Sequence, residues 1–150
     1  MKDEIARLHA WIKEVPSKLQ AFEEPELALR PQPGKWSKKE ILGHLCDSAL
    51  TNLQRFVRAQ HEPLPYKVLT YNQDQWVERM NYRNLPSGHI LNLWVVLNKQ
   101  VAEVIANIPD ERLLHSCRIA DGSWVTLDWL VTDYVDHMEH HLNQIFRPFE

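Results

Sequence analysis

Four stretches of this chain carry apolar residues at alternating steps of three and four, a periodicity that restricts the chain to amphipathic helices packed face to face. Ile5, Leu8, Ile12, Val15, Leu19 and Phe22 form the first stripe, and Pro25 is expected to end that helix. Ser37 as N-cap and Glu40 closing a capping box announce a second helix over residues 37 to 60, with Ile41, Leu45, Ala49, Asn52, Leu53 and Phe56 inward. Ser87 is expected to cap a third, with Leu91, Trp94, Leu97, Val101, Val104 and Ile108 on its stripe and Pro109 and Asp110 stopping it. Thr126 opens the last, whose stripe runs through Leu127, Leu130, Tyr134, His137, His141 and Ile145, with Pro148 after it. The expected fold is all-α: an antiparallel four-helix bundle forming a single domain over residues 1 to 150.

Two connections stand out. Residues 61 to 85 contain Pro63 and Pro65 and room for one short helix near 72 to 80, the features of a lid or pocket wall. Between Leu114 and Val125, Asp121-Gly122 separates short semi-apolar runs and reads as a small hairpin with a type I′ turn.

Composition narrows the functional classes. A length of 150 residues, 44% of them hydrophobic, supports one real core, and no repeat or linker asks for a second domain. The net charge of -3 is spread over intermixed acids and bases, so there is no basic face for nucleic acid and no polybasic segment for a membrane. The opening segment is charged and periodic rather than a continuous apolar run, so a cytoplasmic location is expected. Cys46 and Cys117 lie far apart and are read as free thiols, with Cys46 directed away from His44. Neither a glycine-rich phosphate loop nor a G-x-S-x-G nucleophile elbow occurs.

What remains is imidazole chemistry. His137 and His141 stand at i, i+4, which stacks two rings on one helical face within reach of one metal ion. A third donor must come from elsewhere, and His44 is the candidate, on a polar stripe of the second helix with Ser48, Asn52 and Arg55. By itself H-x-x-x-H without the glutamate of H-E-x-x-H is a weak motif, and histidines near a helix end also complement its dipole. His9, His61, His89 and His115 have no partner at ligand spacing and read as surface or loop residues, and Trp94, Trp124 and Trp129 read as packing.

Taken in order, His44-Leu45-Cys46-Asp47-Ser48, Asn52, Arg55-Phe56, Pro65-Tyr66, Tyr71, Trp76, Thr126-Leu127, Tyr134-Val135 and His137-x-x-His140-His141 form a set that spans residues 36 to 146. In that set the chain resembles the DinB-like superfamily, most closely its YfiT-like, bacillithiol-transferase-like metal-dependent hydrolases. The resemblance implies a bundle holding one divalent metal through His44, His137 and His141, with His140, i+3 from His137, as a rival to His141. Substrate choice is not carried over with it.

Three histidines leave open positions on the ion, as catalytic sites do. The expected function is a metal-dependent enzyme that activates a small thiol for transfer to an electrophile. The alternatives are a metal-dependent hydrolase of a small molecule and a non-catalytic ligand-binding bundle. The metal is zinc, nickel, iron or manganese, and a low-molecular-weight thiol is a possible co-substrate. Asp47, i+3 from His44, either orients that ring or takes a proton, or is an ordinary solvated carboxylate. Arg55 and Asn52 could hold an anionic group of the substrate, with a salt bridge to a glutamate as the plain alternative for Arg55. Gln144, i+3 from His141, could support a ligand or cap the bundle. Tyr66, Tyr71 and Trp76 either wall the pocket or dock the long loop. Trp11, beside the first stripe, hints at a homodimer face.

Overall fold

A computed structural model describes residues 1–147, so Pro148, expected to close the last helix, lies outside the described residues. Seven helices and three short strands follow in order: α1 (Lys2–Leu19), α2 (Glu24–Ala28), α3 (Lys38–Arg58), β1 (Tyr66–Lys67), α4 (Gln73–Arg79), α5 (Ser87–Ala106), α6 (Asp110–Leu113), β2 (Ser116–Arg118), β3 (Trp124–Thr126) and α7 (Leu127–Phe146). The four long helices are α1, α3, α5 and α7, and they form the expected bundle. α3 packs on α5 and α7, and α1 packs on the same two, so α1 lies diagonal to α3 and α5 diagonal to α7. Lys38 at the start of α3 reaches carbonyls at the end of α7, making that pair antiparallel. α1 instead ascends alongside α7, with Glu4 meeting Thr132 and Arg7 meeting Asp136 and Glu139.

The second helix begins as its sequence dictates. Ser37 Oγ accepts from the Glu40 N–H at 3.1 Å, and Glu40 Oε1 accepts from the Ser37 N–H at 3.2 Å. Arg30 then clamps the same carboxylate through Nε at 2.8 Å and Nη2 at 2.7 Å, tying the preceding loop to this helix start. Thr126 caps α7, accepting from the Trp129 N–H at 3.2 Å.

Several sequence expectations need correction. α1 ends at Leu19, and Pro25 lies inside the first turn of α2, where its missing N–H has no helical partner to lose. α1 instead carries Pro16 within it. Ser87 is the first residue of α5 rather than its cap; Pro86 holds the cap position, and the Ser87 N–H donates to Glu24 at 3.1 Å. The buried face of α5 runs through Ile90, Trp94, Asn98, Val101 and Ile105, rotated from the expected stripe because the helix is apolar on more than one side. The hairpin is present, but among the described residues only Gly122 of its loop has a positive φ (+88°), whereas type I′ needs two. The Gly122 N–H closes on Ile119 O at 2.9 Å and the Ile119 N–H on Ser123 O at 3.1 Å, a three-residue loop with glycine in the left-handed position. β1, unforeseen in the long connection, adds in parallel to β2, with Tyr66 opposite Cys117.

The tryptophans divide. Trp94 is fully buried, while Trp124 and Trp129 are 61% and 45% exposed and do not serve the core. Trp11 is half-buried, its Nε1 donating to Glu139 at 3.0 Å. Both cysteines are free and buried, and Cys46 turns toward α5, its thiol 3.5 Å from Ile90 O. Among the described residues no helix is long and apolar enough to cross a membrane.

Candidate metal centre

Because α3 and α7 are neighbours in the bundle, the polar stripe of one meets the histidine stripe of the other. His44 is wholly buried, and its Nε2 lies 3.4 Å from His137 Nε2. His137 and His141, half-buried on α7, stand one turn apart and meet edge to face with ring centroids 4.5 Å from each other. One nitrogen from each of His44, His137 and His141 falls within 4.8 Å of the others. Tetrahedral nitrogens at the usual zinc distance stand about 3.3 Å apart, so the 3.4 Å separation is the spacing that an ion between two rings would set.

The rings are held neutral. Burial, and then repulsion from the other imidazoles, pushes the imidazolium of His44 down to about 3. The same two causes bring His137 down to about 4, and burial lowers His141 against the opposing effect of its Gln144 hydrogen bond. Neutral rings offer lone pairs, and two facing Nε2 atoms suit one shared cation.

His141 is oriented from behind. Its Nδ1–H donates to Gln144 Oε1 at 2.8 Å, which leaves Nε2 as the free lone pair. Gln144 in turn donates through Nε2 to His140 Nε2 at 3.2 Å. His140, exposed and spent on that bond, is absent from the converging donors. The ring of His44 is covered by Trp36, centroids 4.9 Å apart, and its Nδ1 has no hydrogen-bond partner among the described residues.

Asp47 is fully buried but does not hydrogen-bond His44. Its Oδ1 accepts from Tyr82 Oη at 2.6 Å, and its Oδ2 is unpartnered among the described residues. Burial raises the carboxyl to about 6, against a smaller opposing effect of the Tyr82 bond. Tyr82 was not foreseen; it sits in a single 3₁₀ turn (Tyr82–Asn84) and lies flat on α3 because residue 43 is glycine. A Cβ there would stand 2.2 Å from the Tyr82 ring, so the glycine is the only available signal for this contact.

Two cavities reach the histidines. One of about 570 Å³ has His141, Gln144, Trp36, Ile41 and Lys35 in its walls. The other, about 130 Å³, is walled by Ser48, Asn52, Arg55, Tyr71, Asp133 and His137. Among the described residues Arg55 makes no salt bridge to a glutamate: Nε donates to Leu69 O at 2.9 Å, Nη2 to the same oxygen, and Nη1 to Asn52 Oδ1 at 3.3 Å. Asn52 Nδ2 donates to Ser48 O at 2.9 Å. Tyr71 meets Trp76 edge to face at 5.9 Å, whereas Tyr66 is buried in the sheet and lines neither cavity.

A family model described as the DinB superfamily matches residues 4–145. The chain belongs to the DinB superfamily. Within it, the chain is 28% identical over 145 residues to a Halalkalibacterium halodurans protein called "Putative metal-dependent hydrolase BH0277", covering 92% of this chain and 84% of that one. It is 25% identical over 139 residues to YfiT of Bacillus subtilis, which bears the same designation, covering 89% and 78% of the two chains. The solved structure of YfiT, described as an unusual four-helix bundle topology, superposes at a TM-score of 0.85 with 20% identity over 96% of this chain and 82% of that one. A mycothiol-dependent maleylpyruvate isomerase superposes at 0.73 with 12% identity, over 94% of this chain and 59% of the other. The parallel run of α1 beside α7 and the diagonal placement of α1 and α3 are this DinB chain's departure from a simple up-and-down bundle.

Proposed function

We propose that this DinB-superfamily chain is a metal-dependent enzyme in which His44, His137 and His141 hold one divalent cation and a small thiol is activated there for transfer to an electrophilic small molecule. The convergence of three neutral imidazoles from two helices carries this reading. Relatives named as metal-dependent hydrolases support the metal, and the shared fold with a mycothiol-dependent isomerase supports a thiol as the activated group. Zinc, nickel, iron and manganese all suit a set of three imidazoles.

When bound, such a cation lowers the pKa of a thiol or water that it meets and supplies a nucleophile at neutral pH. The protein's own groups do the rest. Gln144 fixes which nitrogen of His141 faces the site. Asp47, i+3 from His44 on the same helix, is the proposed proton acceptor: its Oδ2 is uncommitted, and a carboxyl at about 6 changes protonation near neutrality. Arg55 and Asn52 are the proposed anion-holding groups, since one N–H on each terminal nitrogen of Arg55 is uncommitted among the described residues. The larger cavity, with Trp36 and Ile41 on its apolar side, would take the electrophile.

The names of the relatives favour a second reading, hydrolysis of a small molecule. The two are separated by assaying metal-reconstituted protein with monochlorobimane and a low-molecular-weight thiol. Thiol-dependent conjugation above the uncatalysed rate, lost in His44→Ala, is the expected result. Turnover of ester or amide substrates without thiol would replace transfer by hydrolysis.

A further inference from the structure

The smaller cavity carries both signs of charge without neutralising either. Arg55 on α3 and Asp133 on α7 line the same space of about 130 Å³, yet no salt bridge joins them. Each feels the other at a distance: Asp133 opposes the fall that burial imposes on the guanidinium, and Arg55 opposes the rise that burial imposes on the carboxyl. Arg55 cannot swing across, because its Nε and Nη2 are tied to Leu69 O and its Nη1 to Asn52. A fixed cation and an anion one gap apart mark a place for a group that bears the opposite pair.

His137 closes the same cavity, so whatever fills it abuts the histidine cluster. The volume equals roughly four water molecules, which suits the carboxylate, ammonium and connecting carbons of an amino acid and little more. Ser48, Asn52 and Tyr71 add neutral hydrogen-bonding groups around it. Resting on the thiol reading above, we infer that this cavity is a zwitterion subsite: the thiol co-substrate carries a carboxylate for Arg55 and a primary ammonium for Asp133, close together as in an amino acid, with its sulfur directed toward His137.

The test uses cobalt(II)-reconstituted protein titrated with L-cysteine, with cysteamine, which lacks the carboxylate, and with 3-mercaptopropionate, which lacks the ammonium. The sulfur-to-cobalt absorption band reports binding, and cobalt retention is checked by gel filtration after each titration. L-Cysteine is expected to bind at least tenfold more tightly than either one-charge thiol. Asp133→Asn is expected to weaken L-cysteine and so remove its preference over 3-mercaptopropionate, whose own binding is expected to stay the same or tighten because a carboxylate facing its anionic group has gone. Comparing variant with wild type for each ligand cancels differences in intrinsic thiol acidity. If either one-charge thiol matches cysteine, or Asp133→Asn changes nothing, the subsite is overturned while thiol activation stands. If no thiol produces the band, thiol activation falls and the subsite falls with it.

Discussion

His44 and His137 present their Nε2 atoms to each other at 3.4 Å from different helices. Without an ion one of the two must serve as hydrogen-bond donor to the other; with one, both lone pairs are used. Substituting alanine for His44, His137 or His141 singly is therefore expected to abolish near-stoichiometric divalent metal, read by elemental analysis of tag-free protein. His140→Ala, which removes a ring outside the cluster, is expected to retain it. Metal retained by the first three variants, or lost from the fourth, would displace the site.

Gln144 predicts a subtler effect. Its Oε1 accepts from His141 Nδ1 at 2.8 Å and so selects the tautomer that faces the cluster. Gln144→Leu keeps the bulk and removes the acceptor, and metal affinity is expected to fall by about 10- to 100-fold, in line with other groups that buttress a ligating histidine. Competition with a chromogenic chelator measures this. An unchanged affinity would make the bond incidental.

Much of this was legible in the sequence, and the reason is periodicity. The steps of three and four that place Leu8, Val15, Leu45, Phe56, Leu130 and Ile145 in the core also fix where His44, His137 and His141 point. Capping at Ser37 and Thr126 was readable because each depends on residues within one turn. Contacts between distant segments were not. Tyr82 reaching Asp47, Arg55 reaching Leu69 O, and β1 pairing with β2 all bring in the 61 to 85 connection, which has no period to announce its position. The buried face of α5 departs from its apolar stripe at Asn98, a polar residue whose burial is matched by a hydrogen bond from Tyr134.

Gly43 is a packing requirement rather than a turn. An added Cβ would come within 2.2 Å of Tyr82 Cδ2 and 2.3 Å of Cγ, ring atoms pinned by the Asp47 bond. Although alanine favours helices over glycine, Gly43→Ala is expected to destabilise the fold by about 1–2 kcal/mol, since overpacking of a fixed ring, about 2–3 kcal/mol, outweighs a propensity gain of about 1 kcal/mol. Denaturant unfolding reads the difference. Tyr82→Leu in the same background should recover part of it by replacing the rigid ring. Stability equal to or above wild type in Gly43→Ala would mean the ring moves freely.

Asp47 gives a pH dependence whose sign is fixed by burial. Its carboxyl ionises near 3.8 when unperturbed but at about 6 in the folded chain, so the folded form binds a proton over an interval in which the unfolded form has already lost it. The favourable contribution is complete below the unfolded value and disappears as the pH rises through about 6. Asp47→Asn keeps an oxygen for Tyr82 and removes the titration. Relative to wild type it is expected to be similar in stability near pH 4 and more stable near pH 7.5, by at most about 3 kcal/mol, the equivalent of roughly two pH units. The histidines, held low by burial, give the opposite slope as the pH falls, but they are common to both proteins and cancel in the difference. Metal-free protein in chelator, unfolded with urea at several pH values, isolates the term. A constant difference between the two proteins across that range would assign the buried charge elsewhere. A destabilising carboxylate kept one turn from His44 is understandable where it takes up a proton, as the proposed chemistry requires of Asp47.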